Sequence, residues 1–270
     1  MDDLSDLISA WPVDRAAVGV TGPEGTIALG GDSGWRTRIA SVSKLLVGVA
    51  ALVALEEETL SLQEPAGPEG STVEHLLAHA SGLGFDSRQR LAAPARRRIY
   101  SNTGIEALAD HLEAKAGMPF GEYLTEGVLK PLGLASTSLE GSPAHGLWST
   151  TEELLAFARE VMRPTLVAPE TMEDATRAHF PDLPGVLPGV GSFEPNPWGL
   201  TFEIRGHKDP HWTGRNNSPA TFGHFGGAGT FLWIDPEARL GVVALTAREF
   251  EEWAMEEWPP FSDAVLDRYA

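Results

Sequence analysis

Strand-like segments occupy the two ends of this 270-residue chain, and helical segments fill the space between them. A strand satisfies its backbone groups only through neighbours, so strands at both ends must pair with one another or remain as exposed edges. Residues 16–31, "AAVGVTGPEGTIALGG", read as two short strands around Pro23-Glu24-Gly25. Near the other end, "WGLTFEIRG" and "GTFLWIDPEARLGVVALT" read as three antiparallel strands. One sheet built from both termini, with a helical lobe inserted, accommodates all of them. The expected fold is therefore α/β (α+β), in a single domain. Its sheet lobe takes in about residues 1–40 and 190–270, and its all-helical lobe about 41–189.

The middle carries its own punctuation. Residues 42–56 are apolar throughout and read as a buried helix. "STVEHLLAHA" opens with a capping-box pattern, Ser71 to Glu74, and "STTEELLAFAREVM" repeats it from Ser149 to Glu152. "SNTGIEALADHLEAKAG" is amphipathic and stops at Gly117. A Pro/Gly-rich loop is expected over residues 179–197, and "PFSDAVLDRYA" closes the chain as a short helix.

Charge and composition narrow the function. The chain has 20 basic and 38 acidic residues, a formal charge of −18. A surface this acidic repels polyanions, so nucleic acid and anionic membrane are not expected partners. No apolar run approaches the roughly 18 residues of a membrane span. The first residues, "MDDLSDLISAWPVDR", are acidic where an export signal is basic, which points to the cytoplasm. Zero cysteines exclude disulfides, thiolate metal sites and cysteine nucleophiles.

Three short clusters carry chemistry. In "RIASVSKLLVGVAAL", Ser41 and Lys44 lie one turn apart at the start of the buried helix. The helix N-terminus favours negative charge on the serine oxygen, and a desolvated lysine can accept its proton. In "RRRIYSNTGIEAL", Tyr100 and Asn102 precede a second helix. A tyrosine beside a lysine can be held as a phenolate base, and an asparagine amide can orient a substrate. In "TFGHFGGAGTFLWIDP", His224, Phe225, Gly226 and Gly227 begin an expected strand, where a backbone N–H can complete an oxyanion hole.

Together, Ser41-Val42-Ser43-Lys44, Tyr100-Ser101-Asn102 and His224-Phe225-Gly226 resemble the serine β-lactamase/penicillin-binding-protein superfamily. The nearest likeness is to class C β-lactamases and their esterase and DD-peptidase relatives. "VEHLLAHASGLG", "VLKPLGLASTSL" and "GLWSTTEELLAFA" resemble further segments of that family, in family order, across roughly residues 35–250. The resemblance implies an antiparallel sheet flanked by helices beside an all-helical lobe, with the site between them. It implies Ser41 as nucleophile, Lys44 as its base and Tyr100 as proton relay. Asn102 would hold substrate, the N–H groups of Ser41 and Gly227 would form the oxyanion hole, and Phe225 would shape the pocket. No cofactor or metal is implied.

One departure bears on the substrate. His224-Phe225-Gly226 stands where the family usually carries Lys-Thr-Gly, whose lysine and threonine help bind a substrate carboxylate. A histidine is mostly neutral at pH 7 and phenylalanine has no hydroxyl. The expected function is a serine hydrolase forming an acyl-enzyme, acting on small esters. The alternatives are β-lactamase or D-alanyl peptidase/amidase activity, and a non-catalytic binder or sensor using the same cleft. The partner is a small ester or amide. Elsewhere, His75 and His79 stand at a metal-like spacing without a third ligand, and His79 is expected to pack near the cleft. "HWTGRNNSPA", residues 211–220, reads either as a cleft-lining loop or as a surface turn.

Overall fold

The computed structural model describes residues 2–270. From the amino end, β1 (Asp2–Asp3) and α1 (Ser5–Ile8) lead into a hairpin of β2 (Ala16–Gly22) and β3 (Gly25–Gly31). β4 (Thr37–Arg38) and a 3-10 turn, Ala40–Val42, then open α2 (Ser43–Glu56). The middle of the chain contributes α3 (Val73–Leu77), β5 (Arg98–Ile99), α4 (Asn102–Ala116), α5 (Phe120–Leu124), β6 (Ser138–Leu139), β7 (Leu147–Ser149), α6 (Thr151–Met162) and α7 (Pro169–Thr176). A small hairpin of β8 (Gly185–Leu187) and β9 (Gly191–Phe193) precedes β10 (Glu203–Ile204), β11 (Phe222–Gly226), β12 (Thr230–Asp235) and β13 (Leu240–Thr246). α8 (Glu252–Tyr269) ends the chain.

The main sheet has the order β1-β3-β2-β13-β12-β11-β10. β13 runs antiparallel to β2, with Val242 opposite Val20 and Ala244 opposite Val18, so the two ends of the chain do meet in one sheet. Its central strands are apolar without interruption because both faces are covered. Phe231 and Trp233 of β12 pack with Trp253, Trp258 and Phe261 of α8. The alternate residues Leu232 and Ile234 pack on the other side with α2, α4 and α6. α6 lies directly on the sheet: a Cβ on Gly19 would stand 2.5 Å from Leu155 Cδ1. Among the described residues, no helix is long and apolar enough to cross a membrane.

Several local expectations are corrected. The N-caps of α3 and α6 are Thr72 and Thr150, one residue later than the capping-box pattern placed them. Ser149 instead lies on β7, its hydroxyl 2.7 Å from that of Thr137. In "WGLTFEIRG" only Glu203–Ile204 is strand; Thr201, at φ +69°, interrupts the extended backbone before it. His224-Phe225-Gly226 forms the end of β11, a separate strand paired antiparallel to β12, rather than the start of β12. The closing helix starts at Glu252, before Pro259 and Pro260. Each proline costs a helix about 3 kcal/mol, yet burying one tryptophan of 150–250 Å² gains about 4–6 kcal/mol. Trp253 and Trp258 are both buried on this helix, so packing outweighs the breakers.

Candidate active site

The turn that presents Ser41 is held from both sides. Ala40 sits at φ +46°, a conformation that costs a non-glycine residue strain and persists only where the surroundings enforce it. Thr230 Oγ1 donates to Ile39 O at 2.8 Å. Gly226 closes against the same turn, since a Cβ there would meet Ile39 O at 2.6 Å and Ala40 Cβ at 3.1 Å. Ser41 thus stands in the 3-10 turn that leads into α2, half-buried, while Ser43 is fully buried and accepts the Leu147 N–H at 3.0 Å. The two serines of the motif divide into one facing the cleft and one fastening α2 to β7.

Lys44 is buried and makes three contacts through Nζ. It lies 3.1 Å from Ser41 Oγ, 2.7 Å from Asn102 Oδ1 and 2.7 Å from Ala144 O. Burial pushes its ammonium well below the ordinary lysine range, against the pull of Asp86 and Glu106. A neutral amine has two N–H donors and one lone pair. Asn102 Oδ1 and Ala144 O can only accept, so they take both donors, and the lone pair is left for the Ser41 hydroxyl proton. Asn102 is oriented unambiguously, because its Nδ2 donates to Asp86 Oδ1 at 2.7 Å.

Tyr100 borders the pocket with its ring centroid 4.7 Å from Lys44 Nζ. Burial pushes its phenol above the ordinary range, with a hydrogen bond to Ser41 working the other way. The resting site therefore favours the neutral phenol over the expected phenolate. His224 is 5.5 Å from Tyr100 between ring centroids, and its Nδ1–H donates to Phe225 O at 2.6 Å. Burial, reinforced by Lys44, lowers the His224 imidazole to about 3, so it is neutral at pH 7.

Ser41, Tyr100, His224, Phe225 and Gly227 line one pocket of about 240 Å³, joined by Phe85, Leu187, Pro188, Gly189 and Phe250. Lys44 and Asn102 lie behind it, and Gly226 supports it from the end of β11. Larger clefts elsewhere hold none of these residues. Sequence reasoning missed Asp86, the Ala144 carbonyl and the Phe250 wall. Each reaches the site through a loop, and no spacing rule announces such a contact.

His79 does not share a helix face with His75, because α3 ends at Leu77 and His79 turns away at φ +53°. Its Nδ1 accepts the Ser101 N–H at 3.2 Å, and its ring packs on Tyr100 at 4.8 Å. The 211–220 segment buries His211 and Trp212 at its start, where both bond the buried Glu203 carboxylate on β10 at 3.1 Å. Burial alone would raise Glu203, but Lys208 and His211 outweigh it and hold the carboxyl well below its usual range.

A sheet drawn from both termini, carrying a serine and a desolvated lysine at one helix start, defines a serine hydrolase of the β-lactamase fold. The family model described as Beta-lactamase matches residues 13–266, and the chain belongs to that family. A crystal structure of a beta-lactamase from Mycobacterium bovis is 51% identical, covers 98% of each chain and superposes with a TM-score of 0.96. The structure of EstCE1, a hydrolase with promiscuous acyltransferase activity, is 18% identical over 97% of this chain and 96% of that one, with a TM-score of 0.78. At that identity it shows the fold alone. The D-alanyl-D-alanine-carboxypeptidase/endopeptidase AmpH of Escherichia coli K12 is 25% identical over 143 residues. That match spans 39% of this chain and 37% of AmpH.

Proposed function

We propose that this protein hydrolyses small uncharged carboxylic esters through an acyl-enzyme on Ser41. The observation that carries the reading is the Lys44 amine, 3.1 Å from Ser41 Oγ with its other contacts at two obligate acceptors. Ser41 Oγ attacks the ester carbonyl while its proton passes to the Lys44 lone pair. The N–H groups of Ser41 and Gly227 receive the developing oxyanion. As the tetrahedral intermediate collapses, the Tyr100 phenol gives its proton to the departing alkoxide and recovers one from the Lys44 ammonium. A water then adds to the acyl carbonyl. Tyr100 and Lys44 take its proton and return one to Ser41 Oγ. Asn102, between Lys44 and Asp86, holds the amine in register from behind the pocket rather than touching the substrate.

Esters are favoured over β-lactams or D-alanyl peptides because, among the described residues, the pocket lining offers no cation to a substrate carboxylate. His224 is neutral and Phe225 has no hydroxyl. The second reading, β-lactam or D-alanyl amide turnover, draws on the names of the Mycobacterium bovis structure and of AmpH. The deciding experiment sets p-nitrophenyl acetate, nitrocefin and a D-alanyl-D-alanine peptide against the wild type and Ser41→Ala. The ester should be preferred, and Ser41→Ala should lose several orders of magnitude in kcat. A wide preference for nitrocefin would replace this reading with the second. Full ester turnover by folded Ser41→Ala would reject the nucleophile, and Ser41 labelling without turnover would mark a binder.

A further inference from the structure

The pocket beside Ser41 is bounded on its far side by a residue from a distant part of the chain. Phe250 lies in the five-residue connection between β13 and α8. Its ring centroid is 4.5 Å from that of Phe225 and 5.3 Å from that of Trp258. Phe225 itself is only 8% exposed, so Phe250 shares the wall that the sequence alone assigned to Phe225. The ring has room because Gly189, in the β8–β9 turn, lacks a side chain: a Cβ there would stand 2.6 Å from Phe250 Cε1. The Phe250 N–H also donates to Gly227 O at 2.9 Å, which ties the wall to the loop bearing the proposed oxyanion donor.

We infer that Phe250 is the chain-length gauge of this enzyme, closing an apolar acyl pocket that admits short, uncharged acyl groups and stops longer ones. This rests on the ester-hydrolase reading of the same site. The pocket's about 240 Å³ corresponds to about eight water-sized groups at 30 Å³ each. Its side chains are apolar or neutral, with Leu187, Pro188 and Phe85 completing the wall around the serine. The two ester oxygens and the first atoms of the leaving group take about four of those eight places, so an acyl chain of two to four carbons is accommodated and one of eight is pressed against the Phe250 ring. Because the tether to Gly227 is a backbone hydrogen bond, replacing the side chain changes the wall and leaves that donor in place.

The test compares p-nitrophenyl acetate, butyrate, hexanoate and octanoate on wild type, Phe250→Ala, Phe250→Leu and Phe250→Trp, reading kcat/KM for each ester relative to acetate. In the wild type the octanoate-to-butyrate ratio should be about 0.1 or lower, since one misplaced methylene alone can cost about tenfold. Phe250→Ala should raise that ratio at least about tenfold, Phe250→Leu should raise it less, and Phe250→Trp should lower it. A profile that none of the three variants moves would overturn the assignment. If no ester is turned over in a Ser41-dependent way, the ester-hydrolase reading fails. The affinities of ethyl- and hexylboronic acid, which add to a serine oxygen without turnover, then test Phe250 by themselves. A hexyl-to-ethyl affinity ratio that rises in Phe250→Ala supports the gauge, and an unchanged one rejects it.

Discussion

Asp86 reaches the proposed reaction only through its neighbours, yet it bears on when Lys44 can act as the proposed base. Its carboxylate accepts from Asn102 Nδ2 and draws the Lys44 pKa upward against the larger effect of burial. In the proposed mechanism the neutral amine is the working form, so activity should rise with pH as Lys44 loses its proton and fall as it regains it. Asp86→Asn keeps an acceptor oxygen for Asn102 and removes the negative charge. The Lys44 pKa should fall further, and the acidic limb of the kcat/KM profile should move to lower pH. A limb that moves to higher pH would show that another group carries it. His224, at about 3, should contribute no limb between pH 5 and 9. At this scale the sequence was informative about identities and silent about partners. Ser41, Lys44, Tyr100 and His224 were legible as candidates, which the fold brings together, because the chemistry they offer depends on residue type and local spacing. Asp86 and Ala144 were not, because a lone aspartate and a backbone carbonyl look alike wherever they fall.

The elements that the sequence marked were legible in kind and displaced at their ends, while the short strands β5 to β8, inside the lobe expected to be all-helical, were not read. Both capping patterns contain two adjacent hydroxyl residues, Ser71-Thr72 and Ser149-Thr150; Thr150 also stands three before a glutamate, Glu153, whereas Thr72 stands three before His75. The flanking structure chose the second. Ser71 N–H closes a turn onto Pro68 O at 2.9 Å, and Ser149 is committed to β7. Thr72→Ala should therefore cost about 1 kcal/mol of stability by urea denaturation, because its hydroxyl accepts the His75 N–H at 3.5 Å and also bonds His75 Nδ1 at 2.8 Å. Ser71→Ala should cost clearly less, because its hydroxyl makes only a 3.5 Å contact to Thr72 O. Equal costs would restore the earlier cap. α8 shows the same competition on a larger scale: local rules stop a helix at consecutive prolines, and two buried tryptophans carry it through.

Across the whole molecule, the site exists because residues about 190 positions apart close on one another. Ile39 and Ala40 at the mouth of α2 meet Gly226 and Thr230 at the β11–β12 turn, with Thr230 Oγ1 on Ile39 O. Gly226→Ala should push these two segments apart, since its Cβ would stand 2.6 Å from Ile39 O and 2.5 Å from Thr230 Oγ1. A misplacement of about 1 Å can cost on the order of a hundredfold in rate, so kcat/KM should drop by about that factor while the far-UV spectrum of the protein stays native. Wild-type kinetics in Gly226→Ala would show that the contact does not set the position of Ser41.

The sequence by itself determined the sheet from both ends, the main helices of the middle, the family resemblance and which side chains are candidates for the chemistry. Those features depend on periodicity, turn residues and residue type, all written within short windows. The tertiary structure alone decided that Lys44 is buried, which lowers its pKa, that His224 is neutral and that Asn102 is held between Lys44 and Asp86. It also placed Phe250 over the pocket, from the connection between β13 and α8. Desolvation and cavity shape are sums over neighbours from distant parts of the chain, and the packed fold is what brings those neighbours together.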